Sequence, residues 1–256
     1  MNYAFVTILS TNNYYKGVIA LFEAIKNTNT KYNNFVVIVN EDIDNDIINN
    51  FNNRGYKVIR KNKITFDFVN NDTYTYWHNT FDKFHVFDLV EYDKIVYLDS
   101  DMYIARNIDE LFDYPHMSAV IAGKGYVPEW VEIGSGMMVI VPKEGTSKGL
   151  IETLKNTKYN KDIGDQDVIE TYYDWKNQNL AISENYNLFA DYVDHYINKL
   201  GYTTDGIAIV HFIGSIKPWM LSREEQEEYK ERYKNEGKKY QLDYFTKYLD
   251  ILNNIE

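Results

Sequence analysis

The chain opens on an apolar run, Tyr3-Ala4-Phe5-Val6-Thr7-Ile8-Leu9, which predicts a first strand, with Ser10 to Asn13 as the loop after it. Val18, Leu21, Phe22 and Ile25 then recur at i, i+3, i+4 and i+7, the spacing of one helical face. Phe35 to Val39 reads as a second buried strand. Ile43, Ile47, Ile48 and Phe51 mark a second helix, stopped at Gly55 before a third strand from Tyr56 to Arg60. Strands and helices alternating in this way predict βαβ units, a parallel sheet and right-handed crossovers.

Residues 61 to 77 are polar and aromatic without a clear period, and are expected to form a loop that covers a site. A helix is expected from Asn79 to Val90, with Phe81, Phe84 and Phe87 near one face. Ile95 to Leu98 is short, apolar and rich in β-formers, which suits a strand buried on both faces. Ile108 to Phe112 predicts a short helix ended before Pro115. Ser118 to Ala122 and Gly136 to Val141 read as strands, with a loop from Gly123 to Gly134 between them. Helices are expected near Leu150 to Leu154 and over Asp165 to Trp175. Residues 176 to 206 read as irregular, and Ile207 to His211 as the last strand. Ser222 and Glu225 form a capping box for a charged helix reaching Asn235. Gly237 should break it. Tyr244, Phe245, Tyr248, Leu249 and Leu252 then make an amphipathic stripe, expected to pack on the domain.

The fold class is therefore α/β. The chain has 256 residues with 45% hydrophobic and 25% charged side chains, ordinary values for a globular domain with a substantial core. No run of about 18 apolar residues occurs, so membrane association is not expected. The first residues enter a strand without a basic leader, so the expected location is cytoplasmic. Cysteine is absent, which excludes disulfides, thiolate chemistry and Cys-ligated zinc. A net charge of −11 argues against a nucleic-acid partner.

The candidate chemistry begins where the fourth apolar run ends, in Asp99-Ser100-Asp101. Two carboxylates at the carboxyl end of a strand lie where open α/β sheets bind ligands. They would repel unless a cation lay between them, and a hard divalent ion suits oxygen ligands. The same residues also make an ordinary acidic turn. Further along, His211-Phe212-Ile213-Gly214-Ser215-Ile216-Lys217 follows a strand and can supply a metal ligand, a close backbone approach and a phosphate counter-charge. Gly164-Asp165-Gln166-Asp167 precedes a helix, with Asp162 upstream, and Asp165 could equally be an N-cap. Gly134-Ser135-Gly136 enters a strand and leaves room for a ligand. Lys83 sits where a lysine would ordinarily face solvent. No P-loop, no Gly-x-Gly-x-x-Gly after the first strand and no Gly-x-Ser-x-Gly elbow is present.

Taken together and in order, several stretches resemble the family-8 retaining glycosyltransferases, and among them the glycogenin-like members. They are Ala4-Phe5-Val6-Thr7, Tyr14-Tyr15-Lys16-Gly17, Lys94 to Asp101, Asn107 to Phe112, Gly164-Asp165-Gln166 and His211 to Trp219. The resemblance implies a GT-A nucleotide-diphospho-sugar transferase fold, with a mostly parallel central sheet and helices on both faces. Residues 1–220 would form the catalytic domain, while 221–256, which the resemblance does not cover, is expected from its own capping box and amphipathic stripe to be a helical C-terminal extension packed on or next to it. The resemblance also implies a UDP-sugar donor and Mn2+ or Mg2+. Asp99, Asp101 and His211 would ligate the metal, with Ser100 between the acids. Gly214 and Lys217 would hold the diphosphate, and Lys83 would lie near phosphates and sugar. Ile8, Ser10, Thr11 and Tyr14 would surround uridine. Gly134 and Ser135 would border the donor, while Asp162, Asp165 and Gln166 would meet the sugar where it reacts.

The implied activity is retaining transfer of a hexose, glucose by expectation, from UDP-hexose to a protein tyrosine or a glycan chain. A homodimer is the expected assembly. The alternatives are a UDP-galactose-dependent transferase acting on lipid or glycan acceptors, and a nucleotide-sugar-binding protein without transfer. Two positions depart from the pattern. Gly134 stands where glycogenin-like sequences have Asn, and Asp194 falls at their acceptor tyrosine, with Tyr192 and Tyr196 nearby.

Overall fold

A computed structural model describes residues 1–65, 80–157 and 163–255. Ten strands occur among the described residues: β1 (Tyr3–Leu9), β2 (Phe35–Val39), β3 (Lys57–Arg60), β4 (Lys94–Leu98), β5 (Met102–Ile104), β6 (Ala119–Val120), β7 (Gly134–Ile140), β8 (Ala181–Ile182), β9 (Leu188–Phe189) and β10 (Ile209–His211). The α-helices are α1 (Tyr15–Asn27), α2 (Asn45–Asn53), α3 (Thr146–Asn156), α4 (Asp165–Tyr173), α5 (Val193–Leu200), α6 (Arg223–Asn235) and α7 (Lys239–Ile255).

The main sheet has the order β3-β2-β1-β4-β7-β6-β8. Its first four strands are parallel, and β7 runs antiparallel to both β4 and β6. The apolar runs of β1, β2, β4 and β7 are continuous because both faces of these strands are buried, whereas β3 is a partly exposed edge strand. Phe5, Leu9, Val96, Leu98, Met137 and Val139 enter one core, shared with α1 and α7. Ala4, Val6, Ile95, Tyr97, Met138 and Ile140 enter the other, shared with α3 and α4. The α/β class with helices on both faces is as expected.

Strand order turns back at β1, which lies between β2 and β4. A crevice therefore opens beyond the carboxyl ends of β1 and β4. Two pairings bring other segments to it. Antiparallel β7 sets Met137 beside Leu98, and Asp99 N donates to Gly136 O at 2.8 Å. Antiparallel β10 sets His211 beside Met102, and Phe212 N donates to Asp101 O at 2.9 Å.

Some elements differ from expectation. The helix expected from Asn79 to Val90 is a 3₁₀ helix, Phe81–Asp88, with Asn79 outside the described residues. Its three phenylalanines recur every third residue, the repeat of a 3₁₀ helix. The segment 108 to 112 is likewise 3₁₀, over Asp109–Asp113. The stretch 176 to 206 is not irregular: it holds β8, β9 and α5. Val193, Tyr196, Ile197 and Leu200 do carry a helical spacing there, hidden among Tyr and Asn, and Gly201 ends the helix at φ +74°. The site-covering loop expected over 61 to 77 lies outside the described residues from residue 66 on.

The C-terminal helices are fastened to the domain. Ser222 and Glu225 form the capping box of α6. Asp194 accepts from Tyr240 N at 3.1 Å and from Gln241 N at 2.9 Å, so a side chain from α5 caps the first turn of α7. At the other end of α7, Arg54 donates to Ile255 O at 3.0 Å. No described helix is long and apolar enough to cross a membrane.

Candidate active site

The crevice is a cavity of ≈ 1080 Å³. Ile8, Ser10, Thr11 and Tyr14 line it from the end of β1 and the start of α1. Asp99, Ser100, Asp101, His211 and Lys217 line it from β4 and the β10 segment. Lys83, Gly134, Ser135, Asp165 and Gln166 line it as well. Gly214 does not line the cavity, although its neighbour Ile213 does. Asp162 lies outside the described residues.

Close packing brings these segments together. Gly17 sits where α1 meets the Asp99–Asp101 turn. A Cβ there would stand 2.8 Å from Ser100 O and 2.8 Å from the indole of Trp219. Trp219 Nε1 in turn donates to Asn13 O at 2.9 Å. Gly136 is equally constrained: a Cβ would reach 2.9 Å from His211 Cε1 and 3.1 Å from Asp99 Oδ2.

Two charge clusters share the cavity. In the first, Lys83 Nζ lies 2.7 Å from Asp165 Oδ2 and 3.2 Å from Asp99 Oδ1. The Ser135 hydroxyl donates to Asp165 Oδ2 at 2.7 Å, and the Tyr97 hydroxyl to Asp99 Oδ1 at 2.5 Å. Lys83 is buried rather than facing solvent. Burial alone would lower its pKa, but Asp165 and Asp99 outweigh that and raise it. Asp165 is the first residue of α4, with Gly164 as the N-cap, so its side chain serves Lys83 instead of capping.

In the second cluster, Asp101 lies 2.9 Å from His211 Nε2 and 2.6 Å from Lys217 Nζ. Burial pushes the Asp101 carboxyl up, yet His211 and Lys217 hold it below the usual carboxylate range. Asp99 goes the other way. Burial raises it, Lys83 opposes that, and the nearby Asp101 charge adds to the rise.

Asp99, Asp101 and His211 each offer a ligand atom, all within 4.8 Å of one another. The histidine supplies a test of metal fit. The His211 ring is held between two oxygens, with Nδ1 2.9 Å from Asn187 Oδ1 and Nε2 2.9 Å from Asp101 Oδ1. Asn187 thus orients the ring so that Nε2 faces the carboxylate cluster, and two carboxylates with an imidazole suit a divalent ion with mixed O and N ligands. The residues fit the group.

Asn187, Tyr97, Thr80 and Phe189 also line the cavity and are absent from the sequence candidates. Asn187 and Phe189 lie in the stretch 176 to 206, whose irregular pattern gives them no signal, and Tyr97 reads as core in a buried strand.

The two departures have structural counterparts. A Cβ on Gly134 would come 2.7 Å from Ala122 Cβ and 2.9 Å from Val120 O, so asparagine does not fit there without backbone movement. Asp194 is occupied in capping α7. Tyr196 is buried, with its hydroxyl donating to Glu184 at 2.5 Å, and Tyr192 stacks on Tyr126.

The glycosyl transferase family 8 model matches residues 5–129 and 133–222. The chain belongs to glycosyl transferase family 8. Its relatives include a protein of Acanthamoeba polyphaga mimivirus, 31% identical over 85% of this chain and 83% of that one. They also include a putative UDP-glucuronate:xylan alpha-glucuronosyltransferase of Arabidopsis thaliana, 28% identical over 86% of this chain and 37% of that one. Glycogenin of Neurospora crassa is 26% identical over 86% of this chain and 32% of its own length. This family-8 chain thus spans about a third of the lengths of those two relatives. Among solved structures, an active-site mutant of LgtC superposes with TM-score 0.64 at 16% identity, covering 84% of this chain and 89% of LgtC. GlyE of Streptococcus pneumoniae gives 0.63 at 19% identity, covering 99% of this chain and 63% of GlyE. The fold is GT-A, and the family is one of glycosyl transferases.

Proposed function

We propose that the protein transfers a neutral hexose, glucose first among them, from a UDP-hexose to a glycan or protein acceptor, with retention at the anomeric carbon. The observation that carries this reading is the meeting of two clusters in one cavity: Asp101–His211–Lys217, suited to a diphosphate and its metal, and Lys83–Asp165–Ser135, suited to the sugar. Residues 1–220 would be the catalytic unit and 221–256 an extension that supports it. A homodimer and a cytoplasmic location remain part of this reading.

Asp99, Asp101 and His211 would hold Mn2+ or Mg2+, which when bound would neutralise charge on the departing diphosphate. Ser10, Thr11 and Tyr14 would seat the nucleoside. Lys217 would add a fixed ammonium where leaving-group charge grows. Lys83 and Ser135 would orient the sugar together with Asp165 and Gln166. Lys83 is already matched by two carboxylates, so it has little charge to offer a uronic acid. That favours a neutral hexose over a glucuronate donor. Asp165 Oδ2 is engaged by both an ammonium and a hydroxyl. Such a carboxylate is a weaker nucleophile than a free one, which supports attack from the leaving-group face over a covalent sugar–enzyme intermediate.

The test uses purified protein with Mn2+ and either UDP-glucose, UDP-galactose or UDP-glucuronate, read by UDP release and intact mass. The expected result is turnover of a neutral hexose donor, lowered in Asp101→Asn on the order of 10²–10³-fold. Unchanged turnover in that variant, or preference for UDP-glucuronate, overturns the reading.

A further inference from the structure

One surface beside the cavity has no part in the chemistry above. It lies between β6 and β7. Lys124 N donates to Ile121 O, Val127 N to Gly123 O and Trp130 N to Val127 O, so the segment is a series of tight turns. Gly125 N donates to Glu184 Oε2 at 2.9 Å. The segment is thus fastened in place. It nevertheless exposes Trp130 (41%), Tyr126 (47%) and Val131 (48%).

These side chains continue an aromatic surface that starts inside the cavity. Gly123 has φ +83°, and a Cβ there would stand 2.5 Å from Trp130 Cζ3 and 3.0 Å from Phe189 Cε2. The indole and the phenyl ring therefore both approach that glycine. Phe189 lines the cavity, and its ring centroid lies 6.2 Å from that of His211. Tyr126 stacks on Tyr192 with centroids 3.8 Å apart.

We propose that Trp130, backed by Phe189, is the platform on which the acceptor rests the C–H face of a neutral pyranose. This rests on the glycosyl-transfer reading above. Three observations support it. Contiguous exposed apolar surface marks binding sites. This surface is continuous with the reaction cavity through Phe189 and His211. A flat, rigid aromatic face offers large contact area at small entropic cost, and suits the apolar face of a sugar ring. The flanking Glu129 and Glu132 are exposed, and the chain carries −11 overall, so an anionic acceptor is disfavoured.

The test titrates the full chain, saturated with UDP and Mn2+, with maltotetraose, lactose or tetragalacturonate by calorimetry. The neutral sugars are expected to bind more tightly than tetragalacturonate. Trp130→Ala should weaken the neutral sugars about tenfold and Trp130→Phe about threefold, with UDP affinity and thermal melting unchanged. Three results overturn the proposal: equal affinity of Trp130→Ala and wild type for the neutral sugars, no binding of either neutral sugar to wild type, or conversion of a dimer to a monomer by Trp130→Ala. The last would make this face a contact between two copies of the chain. A separate titration of wild type with UDP alone tells the two failures apart. Absence of UDP binding sinks the nucleotide-sugar reading, whatever happens at Trp130.

Discussion

Lys217 Nζ lies 2.6 Å from Asp101 Oδ2, although 116 residues separate the two along the chain. Both side chains are largely shielded from water, so the contact joins the C-terminal end of the family motif to the acid pair at the end of β4. Removing one member of such a pair leaves a buried charge unmatched. Lys217→Ala is therefore expected to lower stability by about 3–5 kcal/mol. Turnover of the UDP-sugar should fall by about 10²–10³-fold at temperatures where the variant remains folded. Urea titration and UDP release measure the two effects separately. Retention of both would remove Lys217 from the proposed diphosphate site.

Asp99 yields a pH prediction. Its folded pKa is raised above the value of the unfolded chain, first by burial and then by the Asp101 charge against the opposing Lys83. Ionisation of Asp99 therefore destabilises the fold as pH rises above the unfolded carboxylate value, and the penalty is absent below it. In EDTA, Asp99→Asn should melt higher than wild type at pH 7, with the gain shrinking towards pH 4. Adding Mn2+ should stabilise wild type more than the variant. Melting curves across pH, with and without the ion, check both statements. A gain that grows on acidification would refute them.

Much of this arrangement was legible in the chain, for local reasons. Asp99-Ser100-Asp101 stands out because the strand before it is apolar on both faces. His211 and Lys217 stand out through motif order. The burial of Lys83 was not legible, because it depends on Asp165 arriving from α4 and Asp99 from β4. Antiparallel β7 was equally hidden. Its residues read as a strand, but only pairing with β4 sets its direction. Three phenylalanines at a spacing of three predict a helix without saying which kind, and that repeat suits the tighter 3₁₀ form. Asp194 could be placed against a family pattern by counting, yet its use as a cap for α7 depends on a helix almost 50 residues later.

Tyr248 of α7 tests the role of the C-terminal extension. Its ring packs against Phe212 and Trp219, with centroids 5.1 and 6.1 Å away, and its buried hydroxyl has no hydrogen-bond partner among the described residues. Tyr248→Phe should therefore equal or exceed wild type in melting temperature. Tyr248→Ala should cost about 3–5 kcal/mol and, by loosening the segment that carries Lys217, weaken UDP binding. Calorimetric melting and UDP titration of both variants provide the measurement. A large loss in the phenylalanine variant would show that the hydroxyl is required.

Gly17 offers a steric test at the opposite side of the site. Gly17→Ala places a methyl group 2.8 Å from Ser100 O, a backbone atom. Overpacking of this kind costs about 1–3 kcal/mol. Because the displaced atom belongs to the turn between Asp99 and Asp101, Mn2+-dependent turnover should fall as well. Gly55→Ala is the contrasting case. It meets nothing within 4 Å, although φ +78° strains it, so it should lower stability without a loss of turnover in the folded protein. Equal turnover in Gly17→Ala and wild type would contradict the close approach described for α1.

The distance in sequence between Asp101 and Lys217 also sets a timetable. At roughly 5–20 residues per second, a ribosome needs about 6 to 23 s to add the 116 residues between them. For all of that interval the nascent chain carries the acid pair without its lysine, and for all but the last six residues without its histidine. The cap on α7 comes later still, when Tyr240 and Gln241 reach Asp194. The N-terminal half of the sheet can pair early, whereas the reaction cavity is among the last parts of the described chain to be finished.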